Sequence, residues 1–179
     1  MIAAPASAAC GIRRFRSDSV NGFAPERLAT SSTDVIGFEE MTLDTEQHVD
    51  VKAAIGDVFK GVLHRLGEGN TRPDGQSLQM VLEQWPGGRW FRDLGNGTGH
   101  LWGHVQVVKA PVLLELSGPM FMSYPALNHV EVKLLEIPGG TKVTLRHRAL
   151  GFLDETHRQN IGGGWKHLLD SVNKDFSKT

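Results

Sequence analysis

Eight histidines and four tryptophans carry most of the chemical potential of this 179-residue chain. His147 is the one that periodicity singles out. Val143, Leu145 and His147 fall two apart in a strand-like run, so they share one face of a strand. Two residues beyond Leu145, His147 is expected nearer the strand end, at the rim of whatever that face encloses. An imidazole there can hold a polar ligand group or move a proton near neutral pH. Glu136 continues the series Val130, Val132 and Leu134 and could meet it, giving a carboxylate–imidazole pair. A hydrogen-bonded core histidine fits the same pattern, and the spacing does not choose between the two.

The other candidates are less specific. His100 and His104 stand four apart in one predicted strand, which would place them on one face about 13 Å apart at ~3.3 Å per residue. Zinc ligands sit near ~2 Å from the metal, so these two cannot share one ion, and no metal site is expected. Trp85, Trp90, Trp102 and Trp165 could stack on a flat ligand or simply fill a core. The sequence contains no nucleophile elbow, phosphate loop or Cys/His zinc pattern. Gly162-Gly163-Gly164 lacks the G-x-G-x-x-G spacing and the strand–turn–helix setting of a dinucleotide site, and no cofactor is expected.

These residues need elements to position them. Alternation predicts a strand over Thr45–Val51, and Ile55, Phe59, Val62 and Leu66 predict a helix from about Lys52 to Leu66, stopped by Gly67 and Gly69. Strand signals follow over Ser77–Trp85, Arg89–Leu94, Thr98–Lys109, Val112–Ser117, His129–Ile137 and Thr141–Ala149. Turn residues separate them, with Asn96-Gly97 a hairpin signal and Gly103 marking a bend or bulge. Gly118–Leu127 reads as an unusually apolar loop. A final helix from Glu155 to Phe176 carries one stripe, Ile161, Trp165, Leu168, Leu169, Val172 and Phe176. Asp154 or Thr156 would cap it. Its glycine triplet costs about 1 kcal/mol per residue against Ala, and implies close packing, a kink or a delayed start. Strands that bury one face need a cover, and this helix has the only long apolar stripe to supply it. The result is an α+β fold, an antiparallel sheet gripping a C-terminal helix. A single helix across a curved sheet leaves unfilled volume, the natural place for a ligand. Leu114, Leu116, Val132, Leu134, Val143 and Leu145 are expected to form its apolar walls, opposite Trp165, with His147 at the rim.

Composition narrows the classes. Hydrophobic residues make up 40% and charged residues 22%, which supports a buried core rather than global disorder. The net charge of −1 speaks against nucleic acid as a partner. No apolar run approaches the roughly 20 residues that span a bilayer. Cys10 is the only cysteine, so no intrachain disulfide forms, as in a reducing cytoplasm, where the protein is expected. Residues 1–34 are rich in Ala, Ser and Arg without periodicity and read as a leader: disordered, a transit peptide or a mis-assigned start. Val35, Ile36 and Phe38 would open the packed domain, 35–179.

Five stretches, in order over about residues 45–176, resemble the START-like, or birch-pollen-allergen-like (SRPBCC), superfamily. They are Val49-Asp50-Val51-Lys52-Ala53 leading to Val58-Phe59, Pro86-Gly87-Gly88-Arg89-Trp90, Gly103-His104-Val105, Gly139-Gly140-Thr141-Lys142-Val143-Thr144-Leu145, and Gly164-Trp165 with Leu168-Leu169. Within it the chain is most similar to homologues of the C-terminal domain of the heat-shock-protein ATPase activator. The resemblance implies the helix-grip fold around a hydrophobic cavity. It does not imply one activity, because that superfamily includes lipid and sterol carriers, aromatic polyketide cyclases and small-molecule receptors. The chain departs from the common pattern at Asn70–Gly75, which replaces a tryptophan-rich stretch, and in the apolar Gly118–Leu127 loop. Both departures bear on the cavity entrance.

Three functions are open at this stage. One is binding of a small hydrophobic or aromatic molecule. Another is a cyclase- or hydrolase-type reaction using His147 or Glu136, and the third is protein binding as in chaperone activation. Deleting residues 1–34 is expected to leave the melting temperature almost unchanged. Loss of folded protein on that truncation would show that the leader packs on the core.

Overall fold

The computed structural model describes residues 37–120 and 125–177. The expected leader, residues 1–34, lies outside the described residues. So do Phe121, Met122 and Tyr124 of the apolar loop.

After a short 3-10 turn, Phe38–Met41, the chain enters β1 (Thr42–Val51), then α1 (Ile55–Leu66). Six strands follow: β2 (Met80–Leu82), β3 (Arg89–Gly95), β4 (Thr98–Lys109), β5 (Leu113–Gly118), β6 (Ala126–Ile137) and β7 (Gly140–Gly151). The last element is α2 (Glu155–Phe176). The strands form one curved antiparallel sheet in the order β1-β7-β6-β5-β4-β3-β2. The concave face holds the core and α2 lies across it, the helix-grip architecture.

Period-two patterning decides which face is concave. Register places Leu114 opposite Val132, Leu116 opposite Val130, Val132 opposite Leu145 and Leu134 opposite Val143. All of these side chains are buried, and they meet Val58, Val62 and Leu66 of α1 and Trp165, Leu168 and Leu169 of α2 in one cluster. Each contributes roughly 1.5–3 kcal/mol of transfer free energy on burial. Two polar contacts tie the helices in. Trp90 Nε1 donates to the carbonyl of Leu66 at 2.7 Å, satisfying one of the orphan acceptors in the last turn of α1. Arg65 grips Asp175 with two bonds, Nε to Oδ2 at 2.7 Å and Nη2 to Oδ1 at 2.5 Å, joining α1 to the end of α2.

Several boundaries differ from the sequence reading. β1 starts three residues early, because Thr42, Leu43 and Asp44 already pair with Leu150, Ala149 and Arg148 of β7; Arg158 of α2 donates to the Thr42 carbonyl at 2.5 Å. α1 starts at Ile55 rather than Lys52. A tight turn intervenes, in which Ala53 N donates to Val51 O, and Thr141 Oγ1 donates to Ala53 O. β6 begins at Ala126, inside the expected loop. Phe38, expected to pack, is exposed. The final helix has the expected bounds and is capped by Asp154, whose side chain accepts from His157 N at 3.2 Å.

Gly103 does mark a bulge. The register between β3 and β4 slips between Trp90/Gly103 and Phe91/Leu101, leaving Trp102 as the extra residue. A Cβ on Gly103 would stand 2.6 Å from Ser117 O, so the close approach of β5 needs glycine there. The slip turns Trp102 onto the concave side, where it meets Trp90. It also separates the two histidines: His100 pairs with Arg92, on the face of Trp90, whereas His104 pairs with Arg89, on the opposite face.

Truncating a core residue such as Leu116→Ala is expected to cost about 2–5 kcal/mol. Urea denaturation of the purified variant checks this.

Candidate functional site

The last strand and last helix meet through a buried polar chain. His147, on the inward face of β7, is fully buried. The indole Nε1 of Trp165 donates to His147 Nδ1 at 3.0 Å. An indole N–H can only donate, so Nδ1 is the acceptor and the imidazole proton sits on Nε2. Nε2 then donates to Asn128 Oδ1 at 2.9 Å. The Asn128 amide nitrogen in turn donates to the carbonyls of Gly118 and Pro119 at 3.1 and 3.3 Å. Both imidazole nitrogens are therefore occupied, and the chain ends on backbone.

Burial pushes the His147 pKa down from 6.5 to about 4, helped by the nearby His129. The imidazole is neutral at neutral pH, as acceptance from Trp165 requires.

This corrects the expected rim position of His147: it is a core residue beneath the site. Glu136 does not meet it. Glu136 pairs with Thr141 while His147 pairs with Val130, six residues farther along β7, or about 20 Å at ~3.3 Å per residue. Glu136 is exposed beyond the end of the core.

Above the core, a cavity of about 430 Å³ opens between α2, the sheet and the loop after α1. Of the eight residues expected to line it, Trp165 does. Leu114, Leu116, Val132, Leu134, Val143, Leu145 and His147 are instead buried core, outside its described lining. The physical reason is α1. It packs with α2 on that part of the concave face and fills what a lone covering helix would have left empty.

Two indoles, Trp102 and Trp165, stand at the cavity wall, backed by the fully buried Trp90. Trp90 and Trp165 lie stacked, with ring centroids 6.4 Å apart and an interplanar angle of 27°, and Trp102 meets Trp90 edge-on at 5.0 Å and 81°. Leu78, Ile161 and Leu168 complete the apolar surface. Trp85 takes no part: it stands in a turn, 57% exposed.

On α2, His157, Ile161, Gly164 and Leu168 line the cavity at spacings of four, three and four, one stripe of the helix. The glycine triplet neither kinks nor delays this helix, which is continuous through it. A Cβ on Gly162 would stand in ordinary contact with Thr45 and Gln47 of β1. A Cβ at Gly163 or Gly164 would meet nothing within 4 Å; both glycines are exposed, and both stand among the residues around the cavity.

The mouth is polar. Asn70, Thr71 and Arg72 come from the loop that replaces the tryptophan-rich stretch, and His157, Asn160 and His167 from α2. That loop is braced by its own bonds: Arg72 N to Gln76 O at 2.9 Å, Leu78 N to Asn70 O at 3.0 Å, and Gln76 N to Asp74 Oδ1 at 2.9 Å. The departure at Asn70–Gly75 pointed to this loop as part of the entrance; the polar residues of α2 and Asn128 were not read from the sequence. The stripe on α2 was the available signal for His157. Asn128 carried none, since asparagine is depleted in strands.

No protein-family model matches the chain, and no curated protein matches it. Solved structures do. An uncharacterised protein from Rhizobium leguminosarum superposes with a TM-score of 0.60 at 16% identity, covering 77% of this chain and 96% of that one. Ara h 8.0201 gives 0.59 at 12% identity, covering 77% and 99%. StfQ, the di-domain ARO/CYC of the steffimycin biosynthetic pathway, gives 0.58 at 12% identity, with 79% of this chain and 52% of StfQ covered. This chain thus spans about half the length of StfQ. The likeness establishes the helix-grip fold expected from the START-like resemblance. Among the described residues no helix is long and apolar enough to cross a membrane, and no three His, Cys, Asp or Glu side chains are grouped to hold a metal.

The buried imidazole makes folding pH-dependent. Between pH 6.5 and about 4 the unfolded chain protonates His147 and the folded chain resists, so stability falls as pH falls through that window. The full effect is roughly 3 kcal/mol. Urea denaturation of wild type and His147→Gln across pH 4–7 checks this, with the variant expected to lose that part of the slope.

Proposed function

We propose that this chain binds a small, flat hydrophobic or aromatic molecule in the cavity beneath α2. The observation that carries the reading is the meeting of Trp102 and Trp165 at one apolar cavity, backed by the buried Trp90. Indole faces suit an offset-stacked planar ring, and such contacts are worth about 0.5–1.5 kcal/mol beyond area burial. A volume of about 430 Å³ falls within the range of small-molecule pockets. The polar mouth orients a ligand whose body is apolar.

The reading keeps its distance from catalysis. His147, the acid–base candidate, has both nitrogens committed, and Glu136 is remote from it. Binding with no chemical step needs neither. The names of the structural neighbours point the same way only in part: StfQ is named for aromatase/cyclase activity, Ara h 8.0201 for none.

Gly164→Leu separates binding from folding. Leucine is a far better helix former than glycine, and its Cβ meets no atom within 4 Å, so the variant is expected to be about 0.5–1 kcal/mol more stable. Its side chain would fill the cavity mouth. Binding of an environment-sensitive apolar dye is expected to be lost, and any small molecule that co-purifies with wild type in native mass spectrometry should be absent. A variant that binds dye as wild type does would move the ligand site elsewhere.

A further inference from the structure

The arginines among the described residues divide into two groups. Arg65, Arg89, Arg146, Arg148 and Arg158 each sit beside a carboxylate, from Asp175, Glu83, Asp44, Asp44 and Glu155 respectively. Arg72 and Arg92 have no such partner among the described residues. Arg72 lines the tryptophan cavity; Arg92 lies outside its lining, two residues along β3 from Trp90.

Arg72 is part of its mouth. It is exposed, on a loop held in shape by three internal hydrogen bonds, so its guanidinium is delivered to the rim without ordering the backbone.

The cavity's own chemistry has the same sign. No aspartate or glutamate stands among its described lining residues. The polar groups there, Asn70, Thr71, Asn160, His157 and His167, all offer N–H or O–H donors beside the fixed positive charge of Arg72. A cationic ligand would find no counter-charge in that wall. A neutral ligand would leave the guanidinium unused. An anionic oxygen would receive charge-assisted, geometrically forked hydrogen bonds.

We propose that the ligand is a planar apolar acid, its ring against Trp102 and Trp165 and its anionic group held by Arg72 at the mouth. This rests on the binding reading above and adds the ligand's charge.

The test uses three probes of one shape on the full chain: 2-naphthoate, the neutral 2-naphthamide and the cationic 2-naphthylmethylammonium, titrated by calorimetry. The expected order is naphthoate tightest, by roughly tenfold over the amide, with the cation weakest. Arg72→Gln should lower naphthoate affinity by roughly 5–10-fold and amide affinity by far less. Raising the salt concentration should weaken the naphthoate alone. If naphthoate and amide bind equally, or Arg72→Gln weakens all three probes alike, the anionic preference is overturned while the binding cavity stands. If none of the probes binds, both fall together.

Discussion

The hydrogen bond from Trp165 Nε1 to His147 Nδ1 fixes the long helix on the sheet at one rotation and one height. Its two partners are buried, so breaking it leaves a donor and an acceptor unsatisfied in a medium where each costs about 1–3 kcal/mol. Hydrophobic contact alone would let α2 slide or roll over a greasy surface at little expense. A directional bond between a neutral imidazole and an indole does not. It also aims the Trp165 ring. With its nitrogen pinned beneath, the ring stands edge-on to the imidazole at 85° and stacks near Trp90, and the stripe His157, Ile161, Gly164 and Leu168 is brought over the cavity. Asn128 closes the chain on two carbonyls next to the end of β5, so the network reaches from helix to strand edge with its donors and acceptors matched.

α1 fills the part of the concave face over Leu134 and Val143, and α2 covers the remainder with a helix that lacks side chains at Gly163 and Gly164. Glycine in a helix interior is a loss of about 1 kcal/mol per residue, and packing requires neither of these two, since nothing approaches where their Cβ atoms would be.

The fold was largely legible because its patterns are strict. Alternation at Leu114/Leu116, Val130/Val132/Leu134 and Val143/Leu145 marked the concave face, and the 3–4 spacing of Ile161, Trp165, Leu168, Leu169 and Val172 marked the helix that covers it. The site was less legible, for three physical reasons. Parity along a strand tells inward from outward but not core from cavity, so seven expected wall residues became core under α1, and His147 was placed at a rim that lies elsewhere. A bulge reverses parity: Gly103 was readable as a bend, but the consequent inward turn of Trp102 and the separation of His100 from His104 were not. Polar residues on a loop have no period at all, so Asn70, Thr71 and Arg72 became part of the site only through the path of the chain. The glycine triplet was visible as an anomaly, and only the structure shows that two of its members stand exposed beside the cavity.

The most direct test of the tryptophan-walled cavity is an NMR titration that follows the four indole N–H resonances while 2-naphthamide is added. Trp90, Trp102 and Trp165 line the cavity, and Trp85 stands apart in an exposed turn as an internal control. Saturable shifts of Trp102 and Trp165 with Trp85 unmoved are the predicted result. Indoles that do not respond, or a response led by Trp85, would contradict it.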